Sequence, residues 1–210
     1  MAEPYSVVQI SEIESIPVAG VLWKPLRRVL GIDAFGINAY SAETAGAPVV
    51  EEHTEETLGH QEAYVVISGH ATFVLDGADI DAPNGTTVFV RDPSVRRKAV
   101  AVEPGTTVLA IGGAPGVHSP SAWEWYFEAE RHRQSGDHTA ALELLEDGRQ
   151  RFPEHAGMLY AIACWQAMAG HVDDAILALE AAFELEPRSV DWAKTDADLD
   201  PIRGLPGSPV

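Results

Sequence analysis

The spacing of hydrophobic residues along the chain follows one pattern before Gly112-Gly113 and another after it. Between residues 5 and 113, short runs rich in β-branched and aromatic residues alternate with turn residues such as glycine, proline and aspartate. This pattern is typical of strands joined by short connections. After Gly112-Gly113 the apolar residues recur at the spacing of helices. The sequence therefore predicts an α+β chain, with an antiparallel β unit at residues 1–118 and a helical unit at residues 119–210.

The β unit is predicted to be a sandwich or a barrel. Asp76-Gly77 is a strong signal for a tight hairpin between two strands. No helical period interrupts the candidate strands, which lie at residues 29–40, 63–75, 86–90 and 106–111. Many short strands at this spacing are characteristic of antiparallel sandwiches and barrels.

The helical unit contains an internal repeat. Ser121 and Glu124 have the spacing of a capping box, which predicts the start of a helix. The small residues of the repeat would let paired helices approach closely, its glycines would form turns, and its prolines would end the second helices. The repeat has a constant offset of 34 residues, which pairs Trp125 with Leu159, Ala129 with Ala163, Gly136 with Gly170, Ala141 with Ala175, Leu145 with Leu179 and Pro153 with Pro187.

This offset and these positions resemble the tetratricopeptide repeat, with two full copies over residues 122–189. A free-standing stack of such repeats needs about three copies. We expect residues 190–206 to cap the second copy. The resemblance implies a helix-turn-helix module that mediates assembly or binds a protein partner.

Charge narrows the classes of partner. The formal net charge is −18, and 46% of the residues are hydrophobic while 22% are charged, as in a globular protein. An acidic field of this strength repels phosphate backbones and anionic lipid, so we expect neither nucleic acid nor membrane as a partner. The chain has no signal-peptide pattern and no apolar run of the ~20 residues that a membrane span needs. We therefore expect a cytoplasmic protein.

One motif points to a particular β fold. Glu62 and Gly69, separated by the apolar strand Tyr64-Val65-Val66, have the glutamate-to-glycine spacing of the first cupin signature. Residues 20–112 thus resemble the cupin family of jelly-roll β-barrels. The resemblance implies a barrel in which three histidines and this glutamate hold a metal, and it also implies a homodimer. The two histidines that precede the glutamate in the family are missing from their places here.

A second departure lies on the opposing strand. When Gly85 and Phe89-Val90 are aligned with the second cupin signature, Arg96 falls at the position of the family's remaining histidine ligand. One interpretation is a metal-free polar pocket in which Arg96 pairs with Glu62 or with Glu55. Since alternate strand residues share a face, Tyr64 would point into the same pocket. Arg96, Glu62 and Tyr64 would then bind a small molecule, with Arg96 free to contact an anionic group.

A variant metal site is the alternative. If residues 56–59 form an insertion, His53 and Glu55 can occupy the places of the missing histidine pair, and His60 shares a strand face with Glu62. His53, His60 and Glu62 could then hold zinc, iron, manganese or copper. The protein would be a metal-dependent dioxygenase, isomerase or lyase, with Tyr64 as an acid or hydrogen-bond donor. A third interpretation leaves these histidines at the surface of an acidic loop.

Overall fold

A computed structural model describes residues 6–18 and 20–210. The chain divides into two compact units, Met1–His118 and Ser119–Val210. Among the described residues, no helix is both long and apolar enough to cross a bilayer.

The first unit is built from antiparallel strands. One short helix, α1 (Leu26–Leu30), and one 3-10 turn, Ile10–Glu12, accompany them. The strands are β1 (Ile16–Val18), β2 (Val21–Lys24), β3 (Gly36–Ser41), β4 (Pro48–His53), β5 (Gln61–Ser68), β6 (His70–Leu75), β7 (Ala78–Pro83), β8 (Thr87–Val90), β9 (Arg97–Ala101) and β10 (Thr107–Gly113).

These strands form two sheets with nested pairing. One sheet has the order β1-β2-β3-β10-β5-β8 and the other the order β4-β9-β6-β7. Strand β3 pairs with β10, β4 with β9, β5 with β8 and β6 with β7, all antiparallel. Such nesting is the connectivity of a double-sheet jelly roll. Within the described residues no strand pair links the two sheets, so the predicted barrel is two facing sheets and not a closed cylinder.

Apolar side chains from both sheets meet in one core. Tyr64 and Val66 of β5 face Phe73 of β6 and Ala99 of β9, and all four residues are at most 1% exposed. The rings of Tyr64 and Phe73 lie 5.6 Å apart between centroids. The alternation of inward and outward residues along β5 therefore aims Glu62, two residues before Tyr64, toward the interior.

The strand predictions were partly wrong at the amino-terminal side. Residues 29 and 30 belong to α1, which ends at Gly31 with φ +66°, and the strand begins only at Gly36. The Asp76-Gly77 hairpin is confirmed, because both residues have positive φ between β6 and β7. The hydrophobic pattern gave no candidate for β4, and β9 was expected only as the opposing strand of the cupin resemblance; both carry part of the site described below.

The second unit consists of two helix pairs and a terminal segment. Its helices are α2 (Trp123–Gln134), α3 (His138–Arg151), α4 (Ala156–Met168), α5 (Val172–Leu185) and α6 (Ser189–Ala193), followed by the 3-10 segment Ala197–Ile202.

The predicted helices and turns of the repeat are confirmed. The small repeat positions Ala129, Ala141, Ala163 and Ala175 are all fully buried. The glycines at 136 and 170 have φ values of +79° and +81° in the turns between paired helices. In the capping box, the Ser121 N–H donates to the Glu124 carboxylate at 3.3 Å. Membership of the tetratricopeptide family stays a prediction.

Gly69 generates a stability prediction. Its φ is +76°, and an added Cβ would lie 2.6 Å from the Cα of Thr106, whereas Gly77 has φ +86° and open space around it. We expect Gly69→Ala to lower the free energy of unfolding by about 3 kcal/mol or more, since it combines backbone strain with a clash. Gly77→Ala should cost only about 1–2 kcal/mol, from backbone strain alone. Urea denaturation followed by tryptophan fluorescence measures both, and equal losses would contradict the packing described here.

Candidate functional site

A polar cluster interrupts the apolar interior of the β unit. Glu62 and Tyr64 come from β5, while His53 ends β4 and Arg97 begins β9. His53 and Arg97 are register partners on neighbouring strands. The cluster therefore brings side chains from both sheets together.

Arg97 is the anchor of the cluster. Its side chain is fully buried, and its Nη1 donates to Oε2 of Glu62 at 3.0 Å. Its Nε and Nη2 donate to the carbonyl oxygen of Val95 at 3.0 and 2.8 Å, and Nη2 also donates to the carbonyl oxygen of Pro93 at 3.0 Å. The guanidinium thus links Glu62 to the turn that precedes β9. These bonds satisfy a cation that would otherwise be very costly to bury.

Glu62 is held in its ionised form. Oε2 of Glu62 accepts a short hydrogen bond from the Tyr64 hydroxyl and a longer one from Nε2 of His53 at 3.4 Å, in addition to the bond from Arg97. Burial opposes ionisation of this carboxyl, but the hydrogen bonds from His53, Tyr64 and Arg97 outweigh burial and lower its pKa. Glu62 is therefore a carboxylate whose charge is compensated inside the protein.

His53 has a defined tautomer when it is neutral. Its Nδ1 lies 2.8 Å from the carbonyl oxygen of Glu51, which can only accept, so Nδ1 carries a hydrogen. Nε2 then faces Glu62 at 3.4 Å and Oε1 of Glu55 at 3.8 Å. The hydrogen bond with Glu62 raises the pKa of His53, although burial opposes protonation. A proton or another cation at Nε2 would satisfy these converging acceptors.

The two tyrosines of the site stay protonated. Burial, followed by the charge of Glu62, raises the pKa of Tyr64 far above its ordinary value. Burial and the charge of Glu51 raise the pKa of Tyr40 to about 12. Neither phenol is therefore a base near neutral pH, and the Tyr64 hydroxyl donates to Glu62.

Two buried acceptors near this region lack a partner among the described residues. Oε2 of Glu55 and Oδ1 of Asn38 are buried and form no hydrogen bond there. Gly112 packs closely against Glu62. A Cβ added at this glycine would lie 3.0 Å from Cγ and 3.5 Å from Oε1 of the glutamate. Buried acceptors without partners are rare, so this region favours a molecule that donates hydrogen bonds.

Arg96 does not occupy the predicted position. Its side chain is 62% exposed and lies 3.7 Å from Glu52 at the surface. The next residue, Arg97, forms the ion pair with Glu62 that was predicted for Arg96. Successive strand residues point to opposite faces, so an alignment error of one residue exchanges the buried and exposed arginines. The alternation of Arg97, Ala99 and Ala101 could have located the buried face.

The predicted metal ligands are only partly brought together. His53 and Glu62 join Glu55 in a group whose donor atoms all lie within 4.8 Å of one another. His60 lies outside that group, with its Nδ1 3.7 Å from Oε2 of Glu55 and its side chain 36% exposed. The three-histidine set of the cupin family does not fit these residues. A histidine with two carboxylates has suitable donors, but one carboxylate already accepts from Arg97.

Comparisons with known proteins return structures and no sequence relatives. No family model matches the chain, and no curated protein matches it. A cupin protein from Bacteroides fragilis has 19% identity and a TM-score of 0.43, with 57% of this chain and 92% of that chain covered. An RmlC-like cupin from Desulfovibrio desulfuricans has 28% identity and a TM-score of 0.34, with coverage of 38% and 71%.

The nucleoside dehydratase Pac13 from Streptomyces has 19% identity and a TM-score of 0.40, with 54% of this chain and 84% of that chain covered. With TM-scores below 0.5, these similarities assign no site residue to this chain.

Neighbouring arginines allow a matched test of the buried ion pair. We expect Arg97→Met to lower the free energy of unfolding by about 3–5 kcal/mol, because it leaves Glu62 buried without its cation. Arg96→Met removes the same charge at the surface and should cost less than about 1 kcal/mol. Chemical denaturation of both variants measures the difference. Similar losses in the two variants would show that Arg97 is not an internal anchor.

His53 generates a pH prediction. Since its pKa is raised in the folded protein, it contributes stability below its ordinary pKa of 6.5, and this contribution disappears as pH rises through the folded value. In chelator-containing buffer, the stability difference between wild type and His53→Gln should shrink from pH 6 to pH 9. The matched variant of the exposed His118, His118→Gln, should show no such trend. A difference that grows with pH would contradict the protonated His53–Glu62 pair.

Proposed function

We propose that the β unit is a cupin-type domain that binds a small molecule without a resident metal ion. The observation that carries this proposal is the buried Arg97–Glu62 pair, with 3.0 Å between Nη1 and Oε2. The guanidinium supplies the positive charge that a metal ion would bring to this glutamate. A metal ion that shared the Glu62 carboxylate with Arg97 would be repelled by the guanidinium at close range, whereas a charged group at the more distant Glu55 would not share that carboxylate.

The ligand we propose carries positive charge or several hydrogen-bond donors. The half-buried carboxylates of Glu51, Glu55 and Glu62 outnumber the single buried arginine. In the described part of the chain, Oε2 of Glu55 accepts no hydrogen bond, and the N–H groups of Arg97 point to Glu62 and to carbonyl oxygens. An anion would meet carboxylates and find no exposed guanidinium here. An amine or a polyhydroxylated molecule would satisfy the free acceptors.

A metal-dependent enzyme is the second candidate. It is favoured by one observation, the grouping of His53, Glu55 and Glu62 with donor atoms within 4.8 Å. The Nδ1–H of His53 donates to a backbone carbonyl, as is usual for a histidine that ligates a metal through its other nitrogen. A metal held by His53, Glu55 and Glu62 would supply Lewis-acid chemistry, and Tyr64 would orient the Glu62 carboxylate through its hydrogen bond. Homodimer formation and a cytoplasmic location also stay predictions.

Thermal shifts with matched probes test the binding proposal. We expect 1,4-diaminobutane to raise the melting temperature in a concentration-dependent way, while succinate, a dianion of the same chain length, does not. Glu55→Gln should abolish the effect because it removes the negative charge of the carboxylate whose Oε2 accepts no hydrogen bond in the described residues. The control is Glu56→Gln at an exposed neighbour, which should leave the shift unchanged. No shift, or an equal shift in the Glu55→Gln variant, would overturn the assignment of ligand charge.

Elemental analysis separates the two candidates. Protein purified without chelator should contain zinc, iron, manganese and copper at far below one ion per chain. It should also show no thermal shift with these ions added singly. Near-stoichiometric metal that disappears in a His53→Ala/Glu55→Ala variant would favour the enzyme and contradict metal-independent binding.

A further inference from the structure

A groove on the helical unit is lined by three helices. Its residues come from α3, α4 and α5, and it has a volume of about 680 Å³. Helix α4 contacts both α3 and α5, so the groove lies between the second helices of the two pairs and α4 forms its floor. We call it the α3–α5 groove and define it by Leu142, Glu143, Leu159, Ile162, Asp174 and Leu177.

The floor and one wall of the groove are apolar. Leu159 and Ile162 of α4 lie at the floor, with only 9% and 7% of their surface accessible. Leu177 of α5 lies beside them with 65% of its surface exposed, and Ala178 and Ala181 continue this wall. A single exposed leucine is ordinary on a protein surface, but an exposed leucine beside a concave apolar floor is typical of an interaction site.

The rim of the groove is acidic. Arg149 is the one lysine or arginine among the lining residues, and its Nε donates to Oε2 of Glu146 at 2.7 Å. Glu143 and Asp174 also line the groove, and neither forms an ion pair within the described residues. Helices α4 and α5 contain no lysine or arginine. Since Arg149 compensates only Glu146, the rim keeps a net negative charge.

The floor favours a helical partner over an extended one. An extended peptide brings its backbone N–H and C=O groups to the surface that it covers, and each buried group then needs a partner. The floor offers the side chains of Leu159 and Ile162, and Oε1 of the nearby Gln166 is already 2.6 Å from Nδ1 of His171. A helix satisfies its own backbone groups and can pack through apolar side chains.

The size and charge of the groove select the kind of helix. Residues 142–149 and 174–181 each follow about two helical turns, or about 10 Å, along its sides. Since packed helices lie about 8–10 Å apart, a partner helix of about three turns would cover this length. A second copy of this chain is a poor occupant, because its formal net charge of −18 is repelled by the same acidic rim.

We propose that the α3–α5 groove binds an amphipathic helix of a partner protein, with an apolar stripe on one face and lysine or arginine beside the stripe. The apolar side chains would pack on Leu159, Ile162 and Leu177. The cations would lie beside Glu143 and Asp174, which complement their charge. An acidic helix would meet the same carboxylates and be repelled.

Fluorescence anisotropy on the full chain tests this proposal. The probe is a fluorescein-labelled peptide of about four helical turns, with leucine at the spacing of one helix face and lysine on both sides of it. The comparison peptide has the same composition in a scrambled order that forms no apolar face. We expect the amphipathic peptide to bind about tenfold more tightly than the scrambled one.

Each variant of the groove has a matched control on α5. Leu177→Ser should weaken binding by about fivefold or more, whereas Leu185→Ser removes a leucine that is also exposed but lies outside the lining and should change binding by less than about twofold. Asp174→Asn should weaken binding by about threefold. Its exposed neighbour in the same first turn, Asp173, does not line the groove, and Asp173→Asn should leave binding nearly unchanged.

Two further measurements separate the possible outcomes. Circular dichroism verifies that each variant keeps its helix content, and sedimentation velocity follows the oligomeric state of the chain without peptide. A dimer that Leu177→Ser dissociates and Leu185→Ser does not would assign the groove to a second copy and overturn the proposal. Equal losses in the groove variants and their controls would reveal general attraction to an acidic protein and overturn it. Equal binding of the two peptides, or no binding of the amphipathic peptide, would overturn it as well.

Discussion

The buried ion pair between Arg97 and Glu62 is the interaction on which the site depends. It joins strands from two sheets, and its arginine has no exposed surface. A buried pair of this kind adds little net stability compared with apolar packing, but removal of one partner is very destabilising. The pair therefore acts as a constraint. Once Glu62 is ionised, Arg97 must stay beside it, and the turn that supplies its carbonyl acceptors must keep its shape.

This constraint determines which chemistry the site favours. Arg97 compensates Glu62, and Tyr64 stays a protonated donor beside the same oxygen. The buried acceptors that accept no hydrogen bond in the described residues belong to Glu55 and Asn38. A ligand that donates hydrogen bonds relieves this imbalance, whereas a metal ion on Glu62 would be repelled by the guanidinium of Arg97.

The sequence predicted the general architecture better than it predicted the contacts of individual side chains. The offset between Ala129 and Ala163 located both helix pairs, because a repeated pattern reports tertiary packing as well as local preference. Alternation along β5 correctly placed Glu62 and Tyr64 on one face. Arg97 was missed because a one-residue shift of alignment exchanges the two faces of a strand. Glu55 was expected beside His53 from the cupin alignment, but its contacts with both His53 and His60 arise only when the chain after β4 folds back.

A double-mutant cycle on Arg97 and Glu62 tests the central claim most directly. It compares the unfolding free energies of wild type, Arg97→Met, Glu62→Gln and the double variant, and so isolates the coupling between the two side chains. We predict a favourable coupling of about 2 kcal/mol or more, with the double variant more stable than Arg97→Met alone. A coupling below about 0.5 kcal/mol would contradict the account, because that value is typical of independent sites.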